Sequence, residues 1–269
     1  MIDTVIEIIK LFDLNWMSHL PVDASDRAQD LDTFIRYIHY LMLALFVGWS
    51  SFYLYVLWRF GINKPKKADY RGAQGHASTW VELAVAGVEV VLLVVFAIPL
   101  WAKVVADVPT PEESTQIRVM AQQFGWNFMH PGQDDLFGQQ RFDLVDETNK
   151  FGRDLEDPNG KDDIFTLNEV HLPVEKDVVF HVSSLDVIHS FKVIALRMCQ
   201  DAIPGLSIPV WCKPLKEGRY QINCAQLCGN GHSAMTGGFL NIDSQSDYDS
   251  WLAVNTPADG AAAGAGAFE

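Results

Sequence analysis

Cys224 to Met235 reads CAQLCGNGHSAM and places two of the chain's four cysteines beside a histidine and a methionine. The spacing is C-x3-C-x3-H-x2-M. Thiolate, imidazole and thioether together suit copper, and thioether is a poor partner for zinc or hard cations. A single blue copper takes one Cys and two His, so one cysteine here would be surplus. Two thiolates can instead bridge two copper ions, each of which then needs one imidazole. His232 supplies one imidazole and His189, in SSLDVIHSFKV, supplies the other. Met235 and a backbone carbonyl can take the axial positions. Such a site has no open coordination position and suits passing electrons rather than binding a substrate. Two alternatives stand beside this reading. One is a Cys224–Cys228 disulfide, which leaves His232 and Met235 unexplained; the other is a structural zinc site. Cys199 and Cys212 fall outside the pattern and are expected as buried thiols or as a disulfide beside the site. The other six histidines are expected to be structural or surface residues.

Aiming these side chains at one point requires a rigid frame. In GRYQINC, Tyr220, Ile222 and Cys224 share one parity, so a strand would end with Cys224 pointing to the core. Gly229 and Gly231 then permit a tight ligand loop. Ile117, Val119 and Ala121 alternate with polar or flexible residues, as do Phe180 and Val182, so the second half is predicted to be mostly β, a sandwich or Greek-key barrel. Residues 132–163 are rich in Asp, Gly and Asn; their carboxylates miss the EF-hand spacing, and a solvated loop is expected.

The first half is different. Ile38 to Trp58 contains no Asp, Glu, Lys or Arg, and Val81 to Val105 carries only Glu82, Glu89 and Lys103; each is long enough for a membrane-spanning helix. Arg59, Lys64, Lys66, Lys67 and Arg71 lie between them against Asp69 alone, which predicts a cytoplasmic loop and both termini outside. The start, MIDTVIEIIKLFDLNW, reads as an interfacial helix. The expected division is an N-terminal segment at 1–35, a transmembrane hairpin at 36–106, a β domain at 107–255 and a low-complexity tail at 256–269. The net charge is -14. The second half holds about twice as many acids as bases, which argues against a nucleic-acid partner and for a basic protein partner.

On LDVIHSF, DAIPG (Asp201 to Gly205) and CAQLCGNGHSAM, the chain resembles subunit II of the haem–copper cytochrome c oxidases. The resemblance implies two outward termini, two spans and a cupredoxin-like domain holding a dinuclear copper A centre. Cys224 and Cys228 would bridge two copper ions, His189 and His232 would bind one copper each, Met235 would be an axial ligand, and Gln226 would give its backbone carbonyl. Further implications are the bacterial plasma membrane, a catalytic haem–copper subunit I as partner, oxygen reduction coupled to proton translocation, and a cytochrome c donor. The absence of a C-x-x-C-H motif makes that donor a separate protein.

Some positions depart from the family. It usually has Glu where Gln226 stands, with a side chain that reaches a magnesium ion beside the catalytic subunit, so the magnesium contact is in question. The first Trp of its QWYW stretch, where electrons come in, is Phe124 here, while Trp126 matches the second. Glu82 matches a glutamate at the mouth of a proton path. Asp186, three residues before His189, is a candidate for docking the cytochrome or for holding the histidine. A quinol oxidase subunit II would lack the ligands, and a copper-delivery protein would need a thioredoxin-like pattern and one span.

Overall fold

Alternating burial builds the β region. In a computed structural model, which describes residues 20–61, 70–72, 74–106 and 108–257, β1 (Ser114–Gln122) buries Ile117, Val119 and Ala121. β5 (Asp177–Ser184) likewise buries Phe180 and Val182. Between them in the chain come β2 (Gly125–His130), β3 (Ile164–Leu167) and β4 (Glu169–Pro173). β6 (His189–Val193), β7 (Met198–Ala202), β8 (Ile208–Cys212), β9 (Gly218–Cys224) and β10 (Gly238–Asp243) follow. One five-stranded sheet runs β3-β2-β1-β5-β8 and the other β4-β10-β9-β6-β7. Both are mixed, with β1 parallel to β5 and β4 parallel to β10. Side chains of both sheets share one core, in which the Phe191 ring meets Trp126 at 5.3 Å and Phe180 at 5.4 Å between centroids. This is the β-sandwich of the expected class.

The expectation of a solvated loop at 132–163 needs correction in one respect, because the segment is stapled. Asp163 is fully buried and accepts from the Gly138 N–H, while Arg153 is buried and donates to the Gly160 carbonyl. Asp162, Asp157 and Asp146 accept backbone N–H groups of the same loop. Many of its carboxylates therefore serve as turn caps.

Two long helical segments form a separate compact unit, Asp30–Lys103. α1 spans Ala28–Phe60; α2 (Ala77–Val91) passes through a π-helical turn, Leu92–Ala97, into α3 (Ile98–Ala106). Pro99 explains the turn. Proline has no N–H and clashes with the carbonyl four residues back, and a wider turn accommodates it. There the Ile98 N–H reaches Leu93 O, five residues back. The most apolar stretch of each holds no buried residue, and Phe46, Trp49 and Leu93 are exposed. Apolar surface of this extent on helices of this length suits lipid. Glu82 and Glu89 sit exposed on α2.

Residues just before α1 belong with the β unit. The Ala24 N–H donates to Ala195 O (2.9 Å), Asp26 N–H to Lys213 O (3.1 Å) and Leu215 N–H to Ala24 O (2.8 Å). Arg27 lies 4.0 Å over the Trp211 ring. No periodicity marks this strap in the sequence. The expected interfacial helix, three lysines of the loop between the spans and most of the tail lie outside the described residues.

Candidate metal centre

Sheet register brings His189 to the cysteines. β6 and β9 are antiparallel with Phe191 opposite Cys224, and the ladder continues where Ala225 N–H donates to Ser190 O (3.0 Å). His189, at the start of β6, therefore lies beside the beginning of the ligand loop. That loop ends in a 3-10 helix, His232–Gly237. With three residues per turn, positions i and i+3 eclipse, so His232 and Met235 share a face. The x2 spacing is thus a helical spacing rather than that of an irregular loop.

The donor atoms converge. Cys224 Sγ lies 3.9 Å from Cys228 Sγ, 4.0 Å from His189 Nδ1 and 3.0 Å from Gln226 O. Cys228 Sγ lies 3.4 Å from His232 Nδ1 and 3.4 Å from Met235 Sδ, and Met235 Sδ is 3.2 Å from His189 Nδ1. Ligands about 2.0–2.3 Å from a shared ion stand roughly 3.3–3.8 Å apart in a tetrahedral arrangement, so this spacing fits a metal. It does not fit a disulfide, whose sulfurs approach to about 2.05 Å, and all four cysteines are free. His189, Cys224 and Cys228 are the one group of three or more such ligands among the described residues. Cys199 is exposed rather than buried, with Sγ 3.4 Å from Ser190 Oγ; Cys212 is buried.

Surrounding residues hold the donors in place. His189 is fully buried and its Nε2–H donates to Asp186 Oδ1 at 2.9 Å. That bond fixes the tautomer and turns the Nδ1 lone pair toward the sulfurs. Asp186 also accepts the N–H of Gln123 (2.7 Å) and of Val187 (2.6 Å). Partial burial works to raise its pKa, but these hydrogen bonds hold it below the ordinary carboxylate value. Gln123 Nε2 in turn donates to Cys228 O at 2.6 Å. Trp126 is fully buried, donates Nε1–H to Met235 O (3.2 Å) and meets the His189 ring edge-on at 6.2 Å. Burial, with the Cys224 sulfur alongside, pushes the Cys228 thiol up to about 11. A metal binding there must displace its proton.

Two glycines are required. Gly229 has φ of 137°, and a Cβ on Gly231 would lie 2.4 Å from Phe124 Cδ2. The Phe124 ring thus lies against the ligand loop while remaining 38% exposed. Phe124, Trp126 and Asp186 all stand around the donor cluster, whereas Glu82 is on α2 in the other unit. The Gln123 link was missed from sequence, because nothing local connects residues 105 positions apart. Asp186 had a signal, its place three residues before His189.

Residues 115–239 match the family described as cytochrome c oxidase subunit II, periplasmic domain. An alternative cytochrome c oxidase subunit 2 of Bradyrhizobium diazoefficiens is 29% identical over 82% of this chain and 79% of its own length. A probable cytochrome c oxidase subunit 2 of Rickettsia bellii is 27% identical over 89% of this chain and 84% of its own. The crystal structure of the periplasmic domain of cytochrome oxidase subunit II from Bradyrhizobium japonicum is similar with a TM-score of 0.41 and 26% identity, over 55% of this chain and 96% of that one. The part of the chain that matches this family follows two helices long and apolar enough to cross a membrane.

Proposed function

With a periplasmic domain of the cytochrome c oxidase subunit II family as the premise, we propose that this chain is the electron-accepting subunit of a respiratory cytochrome c oxidase. It takes electrons from a separate cytochrome c and passes them to haem in the catalytic subunit I, where oxygen is reduced to water and protons are translocated. The observation that carries this reading is the convergence of five soft donor side chains and the Gln226 carbonyl, with no sulfur in a disulfide.

Two copper ions would be held by the Cys224 and Cys228 thiolates, one imidazole each from His189 and His232, the Met235 thioether and the Gln226 carbonyl oxygen. When bound, the copper pair supplies a one-electron carrier with no open position for substrate. The chain's own residues hold the donors in place. His189 and Met235 are at most 1% exposed, Asp186 fixes the imidazole, and Gln123 and Trp126 hold the carbonyls of Cys228 and Met235. Gln226 cannot supply the carboxylate that a magnesium contact would use.

Phe124, exposed over the ligand loop, is the proposed point where electrons come in, with Trp126 behind it. Asp186 is the proposed docking acid for a basic cytochrome, a role that salt should weaken. In this reading the β unit and both termini lie on the outer side, because the basic residues between the two helices favour a cytoplasmic loop. The strap before α1, hydrogen-bonded to the β unit that follows α3, supports putting both on one side. Glu82 is the proposed mouth of a proton path, and unchanged oxygen consumption in Glu82→Gln would remove it from that role.

Metal analysis with electron paramagnetic resonance on the purified full chain tests the core of this reading. Two coppers sharing one unpaired electron are expected. Zinc, or one isolated copper signal, would overturn it.

A further inference from the structure

The outer face of the β1–β5 sheet carries a cavity of about 710 Å³, on the size scale of sites for small organic ligands. It is independent of the metal centre. β1 and β5 are parallel, with Arg118 opposite His181 and Met120 opposite Ser183. Their neighbours Ile117, Val119, Phe180 and Val182 fill the core, so the strand period turns Arg118, Met120, His181 and Ser183 outward. The stapled 132–163 segment and the turn at Gly205–Ser207 complete the walls.

Arg118 has one guanidinium nitrogen, the buried Nη1, left without a hydrogen-bond partner among the described residues. Its guanidinium stacks 4.1 Å above the Phe137 ring, a contact that fixes its plane. A buried guanidinium nitrogen without an acceptor is costly and calls for one. His181 cannot be that acceptor's rival for charge: burial, then Arg118 itself, lowers its pKa, and its Nε2 is engaged by Gln116 Oε1 at 2.7 Å. Asp163 interacts with Arg118 only through charge, with no hydrogen bond between them, and burial pushes that carboxyl up to about 7. Ser183 and Ser207 add hydroxyls to the lining, and Met120, Phe151 and Leu206 add an apolar wall. Asp135 is the one acid in the lining, which disfavours a ligand of high negative charge.

We propose that this cavity binds a small amphiphilic organic anion, its carboxylate or phosphate on Arg118 and its apolar portion against Met120, Phe151 and Leu206. Guanidinium recognises both groups through paired N–H donors. The anion could come from a lipid headgroup or from a soluble organic acid, which share this chemistry.

Calorimetric titration of the full chain in a neutral maltoside detergent tests this, with hexanoate and hexyl phosphate as probes and hexanol as the uncharged control. Saturable binding of either anion and none of hexanol is expected. Arg118→Gln should weaken it by at least about tenfold, with metal content unchanged. Ser183→Leu, which narrows the cavity and keeps the guanidinium, should weaken it as well and covers the case in which Arg118→Gln does not fold. Absence of anion binding, equal binding of hexanol, or binding indifferent to both substitutions would overturn the proposal. In nanodiscs, loss of hexyl phosphate binding on adding phosphatidylglycerol to phosphatidylcholine supports the site with lipid as its source. Retained binding supports it with a soluble anion.

Discussion

Strands β2 and β10 each run between two histidine clusters of opposite character. At one end Trp126 and Gly238 adjoin the sulfur-rich centre; at the other His130 and Asp243 adjoin His171 and Trp251. Both clusters combine imidazole with aromatic rings. In the first, a carboxylate takes one nitrogen of His189 and the other faces thiols and thioether. In the second, His171 spends one nitrogen on Asp243 at 2.6 Å and has Asn241 Nδ2 3.2 Å from the other, while its ring stacks on Trp251 at 4.5 Å. His130 is fully buried, with neither nitrogen partnered among the described residues. Imidazole becomes a ligand where a free lone pair meets other soft donors; elsewhere it is packing.

The largest effect should come from taking sulfur out of the first cluster. Cys224→Ser or Cys228→Ser should lose bound copper and oxidase turnover together, while circular dichroism keeps the β signal, because neither thiol makes a disulfide. Copper retained at wild-type stoichiometry would break the contrast between the two ends.

The second cluster should answer to pH instead. Burial, with His171 nearby, lowers the His130 pKa from 6.5 to about 3. The unfolded chain therefore takes up the proton first as pH falls, and the native state loses about 1.4 kcal/mol per pH unit through that window. The contribution is intact above about 6.5. His130→Phe should flatten this part of the stability curve in chemical denaturation between pH 6 and 4, and leave copper content alone.

A finer test concerns how His189 is held. Asp186→Ala removes the acceptor of its Nε2–H and should lower copper affinity by about 10–100-fold in competition with a chelator, with Asp186→Asn recovering part of it. A change of comparable size, confined to stability, is expected for Trp126→Phe, which leaves Met235 O without its donor. It should cost about 1–3 kcal/mol in thermal unfolding and retain copper.

Legibility followed the range of the interaction. The alternation of Ile117, Val119 and Ala121, the parity that ends β9 on Cys224, and both apolar helices were readable, because each reflects a backbone period a few residues long. The acidic segment was half legible: most of its acids are exposed, as its composition suggested, yet Asp163 and Arg153 are buried to anchor it. The strap at Ala24–Arg27 gave no signal at all, since its partners lie near residues 195 and 213.

Donor type and local spacing, C-x3-C-x3-H-x2-M, were written into the chain and were enough to select soft-metal chemistry, because ligand preference is a property of the atoms themselves. Which lone pair of His189 faces the sulfurs was decided by tertiary structure. That orientation depends on the β6–β9 register and on Asp186 reaching Nε2, and a register is settled by packing across sheets rather than by any pattern along one strand.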